Sequence, residues 1–272
     1  MSSSLPENNP QKFRVRPLSA GSQWFVDAGK LMNGQFVRWL SLMLVFLAVF
    51  IISNLIQGVM ILYAALSPVF WAGIFLAGSA ASNKLEWTPS ILLEPLKRHH
   101  KSLLLLGVIL MVLNLLMALW LSSSLAEIID FENLNKIMLE VANTGDKEPL
   151  IKLFSDPQLV EQILMKVLLA MLIFLPITMA GWFAPALIFE HNLKPLAALT
   201  LSFKACSANF LPFLSYGLIG MVLIIVTMAF FIFAILVLPL LLATYYTSYR
   251  DIWPEVTSDT PPSEEQQTSI II

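Results

Sequence analysis

The sequence predicts an all-α polytopic membrane protein. Six transmembrane helices are expected, arranged as three repeats of an amphipathic elbow helix followed by a transmembrane hairpin. Three observations carry this expectation: an apolar composition, long stretches nearly free of charge, and a recurring proline-centred pattern.

Of the 272 residues, 57% are hydrophobic and only 12% are charged, with a mean hydropathy of +0.77. That balance excludes a soluble globular domain, whose surface needs far more charge. Six apolar stretches lie at about 36–54, 58–81, 103–121, 167–189, 210–230 and 232–249. Each is long enough to cross a hydrocarbon core of about 30 Å. The first two stretches and the last two are almost continuous. They are divided into hairpins because one helix of about 40 residues would extend roughly 60 Å. Ser53, Asn54, Gln57 and Gly58 mark the first turn, while the second, at 227–231, lacks polar punctuation. No apolar core segment occupies the opening residues, so no cleavable signal peptide is expected. The lone cysteine, Cys206, excludes an intrachain disulfide.

Charge distribution orients the chain. Lys12, Arg14, Arg16, Lys30 and Arg38 cluster at the first span. Lys84, Lys97, Arg98 and Lys101 lie between spans two and three, and Lys194 and Lys204 between four and five. In contrast, segment 122–166 carries eight acids against four lysines. The positive-inside rule then predicts both termini in the cytoplasm and the insertion 122–166 on the far side of the membrane. Within that insertion, LAEIIDFENLNKIMLEVA has helical amphipathic spacing, with Leu134, Ile137, Met138 and Val141 on one side. Its expected place is the membrane surface or the end of the bundle. The tails 1–16 and 254–272 read as disordered, the latter acidic around TPPSEEQQTS. Its apolar terminus, Ser269, Ile270, Ile271 and Ile272, has the character of a segment captured by strand addition.

PVFWAGIF from Pro68, PITMAGWF from Pro176 and PLLLATYY from Pro239 share one pattern. Alanine follows four residues after each proline, glycine or threonine five after, and an aromatic residue seven after. Further prolines, Pro17, Pro89 and Pro195, open the three elbows. From Pro195 the stripe is Leu196, Leu199, Phe203, Cys206 and Phe210; from Pro17 it is Leu18, Gly21, Phe25, Ala28 and Met32. In the middle elbow Pro95 interrupts the pattern, and the best stripe is Leu92, Leu96, His99 and Leu103. Same-orientation repeats imply a pseudo-threefold axis along the membrane normal.

Spans two, four and six are expected on the inside. Proline frees a carbonyl that neighbours must re-satisfy, and Ala72, Gly73, Ala180 and Gly181 offer small contact surfaces. Trp39, Trp120, Tyr249 and Trp253 stand at span ends as expected interfacial anchors.

The candidate residues are mostly polar groups without a recognisable reaction. Asn114, Thr178 and Thr244, with the helix prolines Pro68, Pro176 and Pro239, are candidates for lining a cavity or for packing. Lys97, Arg98, Lys101 and Lys204 are candidate lipid-headgroup contacts. His99, His100 and His191 lack a metal-ligand spacing, so neither metal nor cofactor is expected. Glu190 and His191 form an acid/base pair with no accompanying nucleophile motif. Cys206 falls on the apolar side of its elbow, where burial is expected rather than reactivity.

GWFAPALIFEHNLKPLAALTLSFKACSANFLPFLSYGL and the closing YYTSYRDIW resemble a family of uncharacterised proteobacterial six-span inner-membrane proteins. Their fourth span ends in a phenylalanine-alanine-proline-alanine run, here residues 183–186. The resemblance covers about 15–253 and is most specific over 181–217 and 245–253. A weaker likeness is to the membrane portion of some glycerophosphoryl diester phosphodiesterases, whose catalytic domain has no counterpart in this sequence. The resemblance implies location and topology and no reaction. The expected function is therefore non-enzymatic: an accessory or scaffolding protein for membrane partners or lipids, with no nucleic-acid partner. The alternative is a transporter or flippase moving a lipid or small apolar solute through a central cavity.

Overall fold

The structure, a computed structural model, describes residues 12–56 and 58–254. The parts of the expected tails at 1–11 and 255–272, and Gln57 of the first turn, lie outside the described residues.

Every regular element among the described residues is helical. In chain order these are α1 (Ala20–Met32), α2 (Phe36–Leu55), α3 (Val59–Ser82), α4 (Pro95–Ala126), α5 (Phe131–Thr144), α6 (Glu148–Leu153) and α7 (Pro157–Trp182). They continue with α8 (Ala184–His191), α9 (Pro195–Ala208), α10 (Phe210–Ala229) and α11 (Ala234–Ile252), with short 3-10 turns at Pro89–Leu93 and Phe231–Phe233. Six helical stretches are long and apolar enough to cross a membrane: α2, α3, α4, α7 with α8, α10, and α11 with its preceding turn.

Local chemistry sets the boundaries. Gly34 and Gly58 supply positive φ, 78° and 89°, at the turns before α2 and α3. α7 starts well upstream of the apolar run at 167, because Asp156 accepts from the Gln158 amide at 2.9 Å and Pro157 occupies the first turn. Similarly, α5 begins where Asp130 accepts from the Glu132 and Asn133 amides and ends at Gly145, φ 74°. The segment 122–166 therefore contains two short helices and the first turns of a third. None of α5 is buried. At 32 residues α4 is longer than its apolar run, and it kinks at His99 (φ −123°, ψ 22°). The stretch expected to form the middle elbow is accordingly a 3-10 turn followed by one helical turn from Pro95.

At Pro68 a neighbouring hydroxyl accommodates the proline. Pro68 cannot donate to the Ala64 carbonyl, and Ser67 Oγ donates to it instead at 2.9 Å. Burial separates the proline-bearing spans: the apolar windows of α3 and of the span ending in α11 are 44% and 50% buried, that of α7 with α8 only 6%. Pro68 and Pro239 are buried, whereas Pro176 is exposed.

The chain divides into two compact units. One contains the described residues of Met1–Met43, Ile74–Pro89 and Ala208–Ile272. In it α1 packs on α10 and α11, burying Ala20, Gly21, Trp24, Phe25, Ala28 and Met32. Leu18 is 54% exposed in the turn before the helix, and Trp24 takes its place on the buried face. Gly21 is required there, since a Cβ would run into the Pro212 carbonyl and Tyr216 amide. Trp24 sits 5.1 Å from the Phe213 ring, and Phe25 stacks on Tyr216 at 5.0 Å. From the last turns of α3, Phe75 meets Tyr249 at 4.9 Å and Ser82 shares a 2.8 Å hydrogen bond with Tyr246. Trp39 and Tyr249 are fully buried and Trp253 is 4% exposed. These three rings are core residues, contrary to their expected interfacial role, because each finds an aromatic neighbour inside the unit: Trp39 meets Trp87, and Tyr249 stacks on Trp253.

The other unit contains Leu44–Gly73 and Ser90–Ser207. Phe46 and Trp71 pack at 6.0 Å between α2 and α3, and α4 packs on α7 and α8. Gly73 and Gly107 sit where a Cβ would strike the backbones of Leu92 and Ala65. α9 buries Ala198, Leu199, Leu201, Ser202, Ala205 and Cys206. Leu196 and Phe203, expected on the buried stripe, are 69% and 40% exposed. Small side chains, Ala198, Ser202 and Ala205, are fully buried here, Leu199 and Leu201 are also buried, and Ser202 reaches the end of α7.

Candidate functional site

Polar and charged chemistry gathers where the shorter helices meet the six long apolar ones. In the first unit residues 12–17 form an extended strap. Asn209 grips it twice, its Oδ1 accepting from the Arg16 amide at 2.8 Å and its Nδ2 donating to the Arg14 carbonyl at 3.0 Å. Arg14 N donates to the Ile252 carbonyl at 2.9 Å. Arg16 then forks onto Asp251, Nε to Oδ2 at 3.0 Å and NH2 to Oδ1 at 2.9 Å, and Asp251 Oδ2 also accepts from the Trp24 indole at 2.9 Å. Thr247 donates to the Trp24 carbonyl at 2.9 Å. Arg250 lies 5.1 Å from the centroid of Phe75 and 5.4 Å from that of Tyr246. The sequence YYTSYRDIW is thus a latch that holds the strap, α1 and the end of α3. Asn209 is fully buried, with both ends of its amide on the strap.

In the second unit the junction of α7 and α8 is built around Ser202. Its Oγ accepts from the Phe183 amide at 3.0 Å and donates to the Met179 carbonyl at 2.7 Å. These two backbone groups would bond each other in an unbroken helix, so the hydroxyl is inserted into the ladder. Pro185, with no N–H, favours the break, and Phe183, Ala184 and Ala186 are fully buried around it. One turn along α9, burial pushes the Cys206 thiol up to about 12, against a smaller opposing hydrogen bond from Ser202. Such a thiol stays protonated and is a poor nucleophile.

A third cluster lies at the start of α4. The His99 ring stands edge-on to Phe189 at 5.6 Å and is hydrogen-bonded by the Asn192 side chain. Lys97 pairs with Glu94 at 2.9 Å, and Arg98, His100 and Lys101 are exposed. His191 Nε2 lies 3.3 Å from Glu190 Oε2.

Of the polar residues expected to line a cavity or to pack, two bond within their own helix and one also bonds across to a neighbouring helix. Asn114 donates to the Leu110 carbonyl at 2.7 Å and Thr178 to that of Phe174 at 3.1 Å, each within its own helix. Thr244 is fully buried, bonded to the Leu241 carbonyl and to the Tyr216 hydroxyl at 3.0 Å. Asn114 and Thr178 belong to one unit and Thr244 to the other. Lys204 is exposed on α9. Sequence reasoning passed over Ser202 and the Arg16–Asp251 pair. Ser202 carried a usable signal, a hydroxyl among inward-facing small residues. Arg16 and Asp251 lie 235 positions apart, and no local pattern joins them.

No family model matches this chain, and no curated protein or solved structure is significantly similar to it.

Proposed function

We propose that this chain is a non-enzymatic integral protein of a bacterial inner membrane, with both termini cytoplasmic, that organises or assists membrane partners or lipids. One observation carries the reading: the polar side chains that converge in the fold are engaged in holding connectors onto spans. Arg16, Trp24 and Asn209 close on Asp251 and the strap, and Ser202 closes on the α7–α8 break. Meanwhile α4, α7 and α10 present exposed leucine, isoleucine, valine and methionine to their surroundings, as lipid-facing helices do.

The three-repeat organisation belongs to the same proposal. Each elbow docks on the span that precedes it in cyclic order: the turn at Pro89–Leu93 on Gly73 of α3, α9 on Met179 and Phe183 of α7, and α1 on Thr247 and Asp251 of α11. Trp24 and Ser202, which make two of these contacts, stand at the same offset from Pro17 and Pro195. This shared docking mode supports descent from one elbow-hairpin unit.

The test is native mass spectrometry of the protein extracted gently in its own lipid. A stoichiometric protein partner or a retained lipid annulus is expected. A lone chain holding one small solute at unit stoichiometry overturns the scaffold reading in favour of transport.

A further inference from the structure

We propose that the surface formed by the first turns of α4 and the residues following α8 binds the phosphate headgroups of anionic lipids. The proposal rests on the membrane reading above and names the lipid class it selects.

Three features place the site. First, the kink at His99 divides α4, so that Lys97 and Arg98 precede the break and Lys101 follows it, at the foot of a span. Second, His99 is held against Phe189 and by Asn192, and Lys194 follows Asn192 by two residues. Four permanent cations, Lys97, Arg98, Lys101 and Lys194, thus share this region with two carboxylates, Glu94 and Glu190, a cationic excess of two. Glu94 engages Lys97 at 2.9 Å, and Glu190 is the neighbour of His191. Third, the same helix continues into exposed apolar side chains, Leu105 at 53% and Val108 at 43%. A ligand with a phosphate head and an acyl tail matches that sequence of surfaces. A guanidinium forks onto phosphate oxygens, and lysines add point charges. A free anion would satisfy only the basic part, so the occupant is the lipid.

The test uses the full-length protein in a neutral detergent. Native mass spectrometry follows titration with phosphatidylglycerol, phosphatidylcholine, or inorganic phosphate. The wild type should retain phosphatidylglycerol in preference to phosphatidylcholine. Lys97→Gln/Arg98→Gln/Lys101→Gln should weaken phosphatidylglycerol binding about fivefold per charge removed, roughly 100-fold in all. Lys136→Gln/Lys147→Gln/Lys152→Gln, in the acidic segment, should leave it unchanged. Should the triple variant misfold, Arg98→Gln alone must show the fivefold step. Equal phosphatidylglycerol binding by variant and wild type overturns the site. Full displacement of the lipid by millimolar inorganic phosphate overturns the choice of lipid over free anion. Either failure leaves the scaffold reading standing, because that reading is judged on what co-purifies from native membrane.

Discussion

Ser202 completes the backbone of a helix to which it does not belong: its hydroxyl stands between Phe183 N–H and Met179 C=O, at 3.0 and 2.7 Å. Replacing it with alanine strands a buried donor and an acceptor together. Ser202→Ala should cost about 2–6 kcal/mol, since each stranded group costs about 1–3. Thr200→Ala, whose exposed hydroxyl returns only to its own helix at Leu196, should cost under about 0.5 kcal/mol. Denaturation of both variants in detergent measures the difference, and equal losses would refute the bridging role.

The Cys206 thiol gives a pH dependence with a definite sign. Its folded value, about 12, is raised above the ordinary 9.0 by burial. The native state therefore keeps a proton that the unfolded chain releases, and this contribution to stability is fully present below pH 9. It declines as pH rises from about 9 through 12. Maleimide labelling of the native protein should stay slow at pH 9 and become fast on unfolding. Rapid labelling of the native form at pH 7 would contradict the buried environment.

Asp251 holds Arg16 and Trp24 at once, with its side chain 24% and that of Arg16 35% exposed. Asp251→Ala should cost about 1–3 kcal/mol, above a surface ion pair and below a fully buried one. It should also loosen the strap, whose Arg14 contributes both its N–H and its carbonyl to the fold. Limited trypsin cleavage after Arg14 should accelerate in the variant. An unchanged cleavage rate would show that Asn209 holds the strap alone.

Two glycines of α1 should respond oppositely. At Gly21 a Cβ would meet the Pro212 carbonyl and the Tyr216 amide, whereas at Gly29 nothing lies within 4 Å. Gly21→Ala should destabilise by about 1–3 kcal/mol. Gly29→Ala should stabilise by about 0.5–1 kcal/mol through helix propensity. Thermal unfolding of the pair decides whether α1 is docked through this face.

The spans were readable in the sequence because hydropathy over about 20 residues is an averaged property, insensitive to any single side chain. The ends of α4 and α7 were less so: Asp156 with Pro157 and the His99 kink act through one or two residues in polar surroundings. Elbow faces were half readable. Gly21, Phe25, Ala28 and Met32 follow helical spacing, but α9 turns Leu196 and Phe203 outward beside Thr200 and Lys204. Hydropathy cannot tell lipid from protein there, so small Ala198, Ser202 and Ala205 are better markers of the packed side. For Trp39 and Tyr249 the same ambiguity made core rings look like interfacial ones. Arg16 and Asp251 were invisible because their pairing is a property of the closed fold.

The docking of α1 on α10 and α11 also sets a clock. Trp24 and the carboxylate it donates to are separated by 227 positions. At about 5–20 residues per second of synthesis, the ribosome needs roughly 10–45 s to make the partner after the tryptophan has emerged. For most of that interval α1 carries Trp24, Phe25 and Met32 without the rings of α10 and α11 that bury them. A helix made well before α10 and α11 is placed only once they arrive, and newly made chains truncated before α11 should be the form that proteases and chaperones see.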